Sequence, residues 1–422
     1  MLIGAFMLFV TGKVNYSIRY TGLLNRKLIY LSVAFLFANM GWGMAWPYLP
    51  NLIKLLGGSI LYVALLSTLF NLTSSFGQYF WGRRSDASGK RKPYALLGLF
   101  SSGFFFILIG ISGSAISVLI LRTFQGFFVS SQTPAISALV SELSTNVGRG
   151  FGTFNMFSNI GFMLGNFIGG FVVSHYGTRH VFLASSVPFF IALIMILFFK
   201  EEARKIEDLR PLYRYDRPGR TVFSWTKSAE FIKRNRNIVI FTISIFILML
   251  SSGMVYSYLS LLLEARFGKD FVGYYYGIDG LFASFFIYPF GYLADRYGSK
   301  AVTLFGLVAY ALTYLLYYIS TTPFMIILTA AISGAKWASY FNSINAYVSR
   351  MSTREERATA LGVLNSGISM GWVIGPLIGS ITVVMYGIPE MILLAIAPVI
   401  VSLTVLIFVE NDIHYIDGRK VN

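Results

Sequence analysis

No cysteine occurs among the 422 residues, so neither a disulfide nor a thiolate metal site can form. Histidine is almost as scarce. His175, His180 and His414 have no neighbour at metal-ligand spacing, and no metal site is expected. Charge is the third shortage: only 12% of the residues are charged and 55% are hydrophobic, against about 25% charged in soluble domains. Such a chain lacks the polar groups to cover its own surface in water, and it needs lipid. A phosphate-cradling loop for an ATP-driven pump is also missing. Gly82 to Gly89-Lys90 has six residues between its glycines instead of four, with Arg91 where Ser or Thr is required. No His/Asp/Ser set and no paired carboxylates suggest an enzyme, and no cofactor is called for.

Long apolar runs take the place of these features. They fall at roughly 29–50, 59–81, 94–113, 115–141, 150–174 and 181–199, then at 237–263, 271–292, 301–319, 323–349, 358–385 and 388–409. About 20 apolar residues cross the roughly 30 Å hydrocarbon core as a helix that satisfies its own backbone. Barrel strands would alternate every second residue, and these runs do not. The expectation is an all-α integral membrane protein with twelve transmembrane helices. Leu2–Val10 is apolar but short and has no basic residue before it, so an interfacial segment is expected there, not a cleaved signal.

The net charge of +16 suggests a nucleic-acid partner until its distribution is examined. With the N-terminus inside, 28 of the 34 Lys and Arg residues fall on the cytoplasmic side, 11 of them between residues 200 and 236. Lys54, Arg179, Arg266 and Lys269 fall outside, and Arg122 and Lys336 within spans. This is the positive-inside pattern. It predicts both termini in the cytoplasm, contact with anionic lipid headgroups, and no nucleic-acid role.

The chain also repeats itself. Gly82, Asp86 and Gly89 after span two recur as Gly291, Asp295 and Gly298 after span eight. Gly161, Gly165 and Gly169 in span five recur as Gly371, Gly375 and Gly379 in span eleven, and Ser144-Thr145…Arg149 recurs as Ser352-Thr353…Arg357. Three features in one order predict two six-helix pseudo-symmetric bundles: 1–199, a cytoplasmic linker 200–236, and 237–422.

These residues name a family. Gly82 to Lys92 and Gly291-Tyr-Leu-Ala-Asp295-Arg296-Tyr-Gly298-Ser-Lys300 resemble the signature loop of the major facilitator superfamily, with Ala87 where the first copy usually has Arg or Lys. Arg122-Thr-Phe-Gln125-Gly126 is similar to its span-four pattern, and Pro47-Tyr-Leu-Pro50 to its span-one pattern. Gly161 to Gly170 resembles the motif of its antiporters, with Asn166 in place of Pro. Gly371 to Gly379 keeps the proline at Pro376. The resemblance implies a secondary transporter of the drug:proton antiporter-like branch, with the two bundles around a central cavity. It implies that Gly82, Asp86, Gly89, Arg91, Gly291, Asp295, Arg296, Gly298 and Lys300 latch the halves. By themselves the glycine rows are small-residue faces for close helix packing, and Asn166 and Pro376 are candidate hinges.

Charges inside spans are the most informative residues, since each costs about 2.5–3.5 kcal/mol at the bilayer centre unless paired or hydrated. There are three: Arg122, Asp279 and Lys336. At 1.5 Å per residue Asp279 lies about 13 Å below the outer end of its span and Lys336 about 20 Å below its own, close enough in depth for an ion pair. Asp279 is the candidate proton-titrating carboxylate, with Lys336 as its partner or a substrate contact; Arg122 either modulates Asp279, anchors an anionic group or serves as a strut between helices. A single structural salt bridge is the plainer alternative. Asn39, Trp42, Trp46, Gln125, Gln132, Lys336, Tyr340 and Ser343 are candidate cavity residues. Two functions remain open: proton-coupled efflux of lipophilic or amphipathic small molecules, or symport or uniport of a small polar or anionic solute. Either places a multi-pass, monomeric transporter in the plasma membrane.

Overall fold

The structure, a computed structural model, describes residues 26–144, 147–201, 234–353, 356–416 and 419–420. The N-terminal apolar stretch, most of the 200–236 linker and Thr145 lie outside the described residues. Span one comprises Arg26–Ala45, a 3-10 turn Trp46–Tyr48 and Leu49–Leu55. Spans two and three are Ile60–Ser88 and Lys92–Ile111, and span four is split into Ala115–Val129 and Gln132–Leu143. Val147–Tyr176 and Thr178–Phe198 form spans five and six. Span seven is again split, into Arg236–Tyr256 and Leu259–Phe267. Spans eight to eleven are Lys269–Tyr297, Ser299–Ile319, Pro323–Met351 and Arg357–Tyr386. Span twelve is Ile388–Leu394 with Ile396–Ile407. A two-residue antiparallel pair, Tyr415–Ile416 with Arg419–Lys420, follows it.

Eleven of the described helices are long and apolar enough to cross a membrane, and span four is the twelfth, shortened by its break. The breaks have local causes. Proline lacks the N–H that the carbonyl four residues back would accept. Pro134 thereby frees Ser130 at the split in span four, and Pro398 frees Leu394 in span twelve. Pro47 and Pro50 sit at the first turns of the segments that interrupt span one.

The glycine rows carry the tightest packing. A Cβ on Gly161 or Gly165 would overlap the carbonyl oxygens of Leu36 and Met40 on span one. One on Gly375 would overlap that of Leu250 on span seven. Spans one and five, and spans seven and eleven, therefore touch backbone to backbone, the same pairing in each bundle. Between the bundles, span eight packs on span five and span eleven on span two. Gly170 and Gly273 let the first of these pairs cross closely, and the Gly273 N–H donates to the Tyr48 hydroxyl at 2.8 Å.

One local expectation needs correcting. Gly82, Asp86, Gly291, Asp295 and Arg296 are not in loops: spans two and eight continue as helix through them. The turns themselves fall at Gly89 and Gly298, whose φ angles of 64° and 89° suit glycine. A Cβ on Gly82 would lie 3.6 Å from Pro134 and one on Gly291 3.9 Å from Asn342, so neither glycine is needed for close approach.

Candidate functional site

Two compartments lie between the bundles and share four aromatic walls, Trp46, Tyr256, Tyr276 and Trp372. The first, about 380 Å³, lies toward the end of the molecule that carries Asp86 and Asp295. It is lined further by Asn39, Trp42, Asn159, Asp279, Tyr310 and Trp337, among others. The second, about 200 Å³, lies toward the opposite end and takes in Phe70, Asn71, Arg122 and Ser260.

Asp279 is set by the fit of spans eight and ten. A Cβ on Gly334 would collide with the backbone of span eight at Ala283, so glycine there lets span ten lie one turn from Asp279. The Asp279 Oδ1 is buried and has no hydrogen-bond partner. Lys336, two residues beyond Gly334, is fully buried. Its ammonium does not form the direct ion pair with Asp279 that their depths allow. It donates to the Tyr256 hydroxyl and lies 4.6 Å from the Tyr310 ring centroid and 5.9 Å from that of Tyr314. Depth along a helix says how far down a residue sits and nothing about rotation; here the three tyrosines enclose the lysine on its own side. Hydroxyls continue the network. Tyr256 and Tyr317 reach the Ser333 Oγ at 3.4 and 3.3 Å, and Tyr275 meets Tyr317 at 2.5 Å.

Of the remaining candidate cavity residues, Asn39, Trp42 and Trp46 line the larger compartment. Four others, together with Lys336, line neither compartment, because their helix faces turn toward neighbouring spans. Gln125 is buried against span three, accepting from Arg122 and reaching the Ser102 carbonyl at 3.5 Å. Gln132 packs on Gly98. Ser343 accepts from Thr303 of span nine at 2.8 Å, and Tyr340 is buried beside Trp337. The residues that sequence reasoning missed are chiefly aromatic: Tyr256, Tyr276, Tyr310, Trp337 and Trp372. Tyr276 precedes Asp279 by three positions and Trp337 adjoins Lys336, which was the available signal.

At the Asp86/Asp295 end each bundle carries a charge cluster. Asp86 pairs with Arg91 at 2.6 Å, and Arg91 lies 3.7 Å from Glu142. The Glu201 carboxylate accepts from the backbone N–H groups of Arg91 and Lys92. In the second bundle Arg350 pairs with Asp295 at 2.7 Å and Asp412 at 3.1 Å, and Asp412 accepts from the Lys300 N–H. Glu201 and Asp412 thus cap the helix starts of spans three and nine, a further match between the halves beside the glycine and Ser-Thr repeats. Lys300 Nζ reaches the Ile407 carbonyl, and Arg296 lies over the Tyr297 ring. Asn166 is fully buried where spans one, five and eight meet, donating to the Phe162 carbonyl, while Pro376 accepts from the Tyr258 hydroxyl.

The opposite end is tied across the bundles. Asn51 of span one donates to Glu264 of span seven, Thr68 to the Val373 carbonyl at 2.8 Å, and Ser257 to Ser67 at 3.3 Å.

The family model of the Major Facilitator Superfamily matches residues 31–277 and again 241–416. An uncharacterised MFS-type transporter of Methanocaldococcus jannaschii is 26% identical over 356 residues, covering 82% of this chain and 86% of the relative. A multi-drug resistance efflux pump PmrA homolog of Lactococcus lactis is 23% identical over 376 residues, covering 84% and 87%. Among solved structures, the nucleoside transporter NupG superposes with a TM-score of 0.75 at 14% identity, covering 90% of this chain and 98% of that one.

Proposed function

The chain belongs to the Major Facilitator Superfamily and is a multi-pass membrane transporter, not an enzyme, and we propose that it exports lipophilic or amphipathic small molecules in exchange for protons, by alternating access. One observation carries this reading: Asp279, with one carboxylate oxygen buried without a partner, lines a compartment walled by Trp42, Trp46, Trp337 and Trp372. Aromatic faces accept apolar and cationic groups. A carboxylate on that wall holds either a proton or a cationic substrate there, and that competition is what couples the two fluxes. Burial favours the neutral carboxyl and a nearby cation favours the carboxylate, so a substrate that approaches in one state and leaves in the other loads and unloads the proton. The relative named a multi-drug resistance efflux pump supports the efflux direction.

In this reading the halves 1–199 and 237–422 rock about the cavity, with both termini cytoplasmic in the plasma membrane. The Asp86 and Asp295 clusters stabilise the state in which their own end is closed. The second reading, uptake of a small polar or anionic solute, is favoured by Arg122 in the smaller compartment. Flux into proteoliposomes with and without an imposed pH gradient separates the two. Uphill movement of a lipophilic cation that collapses with the gradient supports export, and gradient-independent equilibration rejects proton coupling.

A further inference from the structure

Arg122 is a full positive charge in the protein interior with no carboxylate beside it. The residue is 3% exposed. One terminal nitrogen donates to Gln125 Oε1, a neutral acceptor, and the guanidinium lies 3.7 Å from the ring centroid of Phe70 and 5.3 Å from that of Trp42. Its Nε is buried without a partner. The ion pairs among the described residues involve Arg91, Arg234 and Arg350, not Arg122. A desolvated cation left uncompensated is costly, and aromatic faces offset only part of that cost.

The compartment that Arg122 lines has the matching chemistry. Its wall contains no Asp or Glu, and its polar groups are the amide of Asn71 and the hydroxyls of Ser67, Ser257, Ser260, Tyr256 and Tyr276. The Ser260 Oγ is also buried with no partner. Two polar groups with unused donors, one of them charged, therefore border one space of about 200 Å³. We propose that this smaller compartment binds a compact monovalent anion, held by the Arg122 guanidinium and the Ser260 hydroxyl. The anion is a free inorganic ion or the carboxylate of a small organic acid; both present the same charge to the same donors. The site deepens the second reading above, uptake of an anionic solute, on which its carboxylate form rests; it is separate from Asp279, which lines only the larger compartment, and it does not rest on proton coupling.

Trp42 and Trp46 border Arg122 and the compartment, so tryptophan fluorescence is a direct reporter. Purified full-length protein in gluconate buffer is titrated at constant ionic strength with chloride, nitrate, acetate and benzoate, following fluorescence and melting temperature. A saturable response to at least one salt is expected. Arg122→Gln weakens it at least about tenfold, and Ser260→Ala, which keeps the charge, weakens it by a smaller factor. Response to chloride and nitrate alone assigns an inorganic ion; response to acetate and benzoate assigns a carboxylate. If Arg122→Gln does not fold, Ser260→Ala decides. The proposal is overturned if the wild-type protein shows no saturable response to any of the four salts, or if the folded variants bind with wild-type affinity.

Discussion

Lys336 is fully buried and Asp279 half-buried, and the two are arranged for different partners. The lysine is enclosed by Tyr256, Tyr310 and Tyr314, whereas the aspartate lines the larger compartment and keeps one buried oxygen without a partner. A site that exchanges a proton needs such an uncommitted oxygen; a structural salt bridge would have used it. Asp279→Asn keeps the shape and removes the titration. We expect it to lose accumulation driven by a pH gradient while retaining downhill exchange of the same substrate in proteoliposomes. Undiminished uphill transport by this variant would assign coupling to another group. Asp279 was legible in the sequence because an acid deep in an apolar run is rare. The position of Lys336 against tyrosines was not, because it depends on how three helices rotate about their axes.

At the scale of the helix, glycine decides which faces meet. The rows on spans five and eleven hold those helices against spans one and seven at backbone contact, where any Cβ meets a carbonyl or a Cα. Gly165→Ala and Gly375→Ala should each destabilise the protein by about 1–3 kcal/mol or more, since a backbone has little freedom to give way. Gly82→Ala and Gly291→Ala sit in helix with ordinary room around the added carbon. They should be neutral or stabilising by up to about 1 kcal/mol, because alanine loses less backbone entropy in a helix. Thermal unfolding of the four variants in detergent checks the contrast, and equal losses in both pairs would contradict it. The spacing of every fourth residue marked the rows in the sequence. Gly82 and Gly291, which open the two signature copies and are equally visible there, occupy ordinary helix in the fold, so a pattern can be read without revealing how crowded its surroundings are.

For the whole molecule, the end away from Asp86 and Asp295 is where the bundles hold each other, through Asn51 with Glu264, Thr68 with Val373 and Tyr48 with Gly273. Alternating access requires these ties to part. Because the native chain has no cysteine, Asn51→Cys combined with Glu264→Cys gives an unambiguous pair. Oxidation should crosslink the pair and stop transport, and reduction should restore it; transport by the fully crosslinked protein would show that this end does not open. At the other end Asp86 and Asp295 each pair within their own bundle. Asp86→Asn with Asp295→Asn should slow turnover while leaving substrate affinity near wild type, measured as binding and flux on the same preparation. Normal flux would reduce these clusters to topology signals.

The sequence by itself determined the lipid environment, the number and order of spans, the two related halves and the family, because each rests on local quantities: the length of an apolar run, the sign of a loop, the spacing of a repeat. It also identified the three charges that the membrane makes expensive. Only the tertiary structure decided what each charge faces, which of the candidate polar residues border a cavity and which serve as struts between helices, and that the cavity is divided by Trp46, Tyr256, Tyr276 and Trp372. The physical reason is that rotation of a helix about its axis is set by its neighbours. A turn of 100° per residue moves a side chain from cavity to strut without any change in the pattern that predicts the helix.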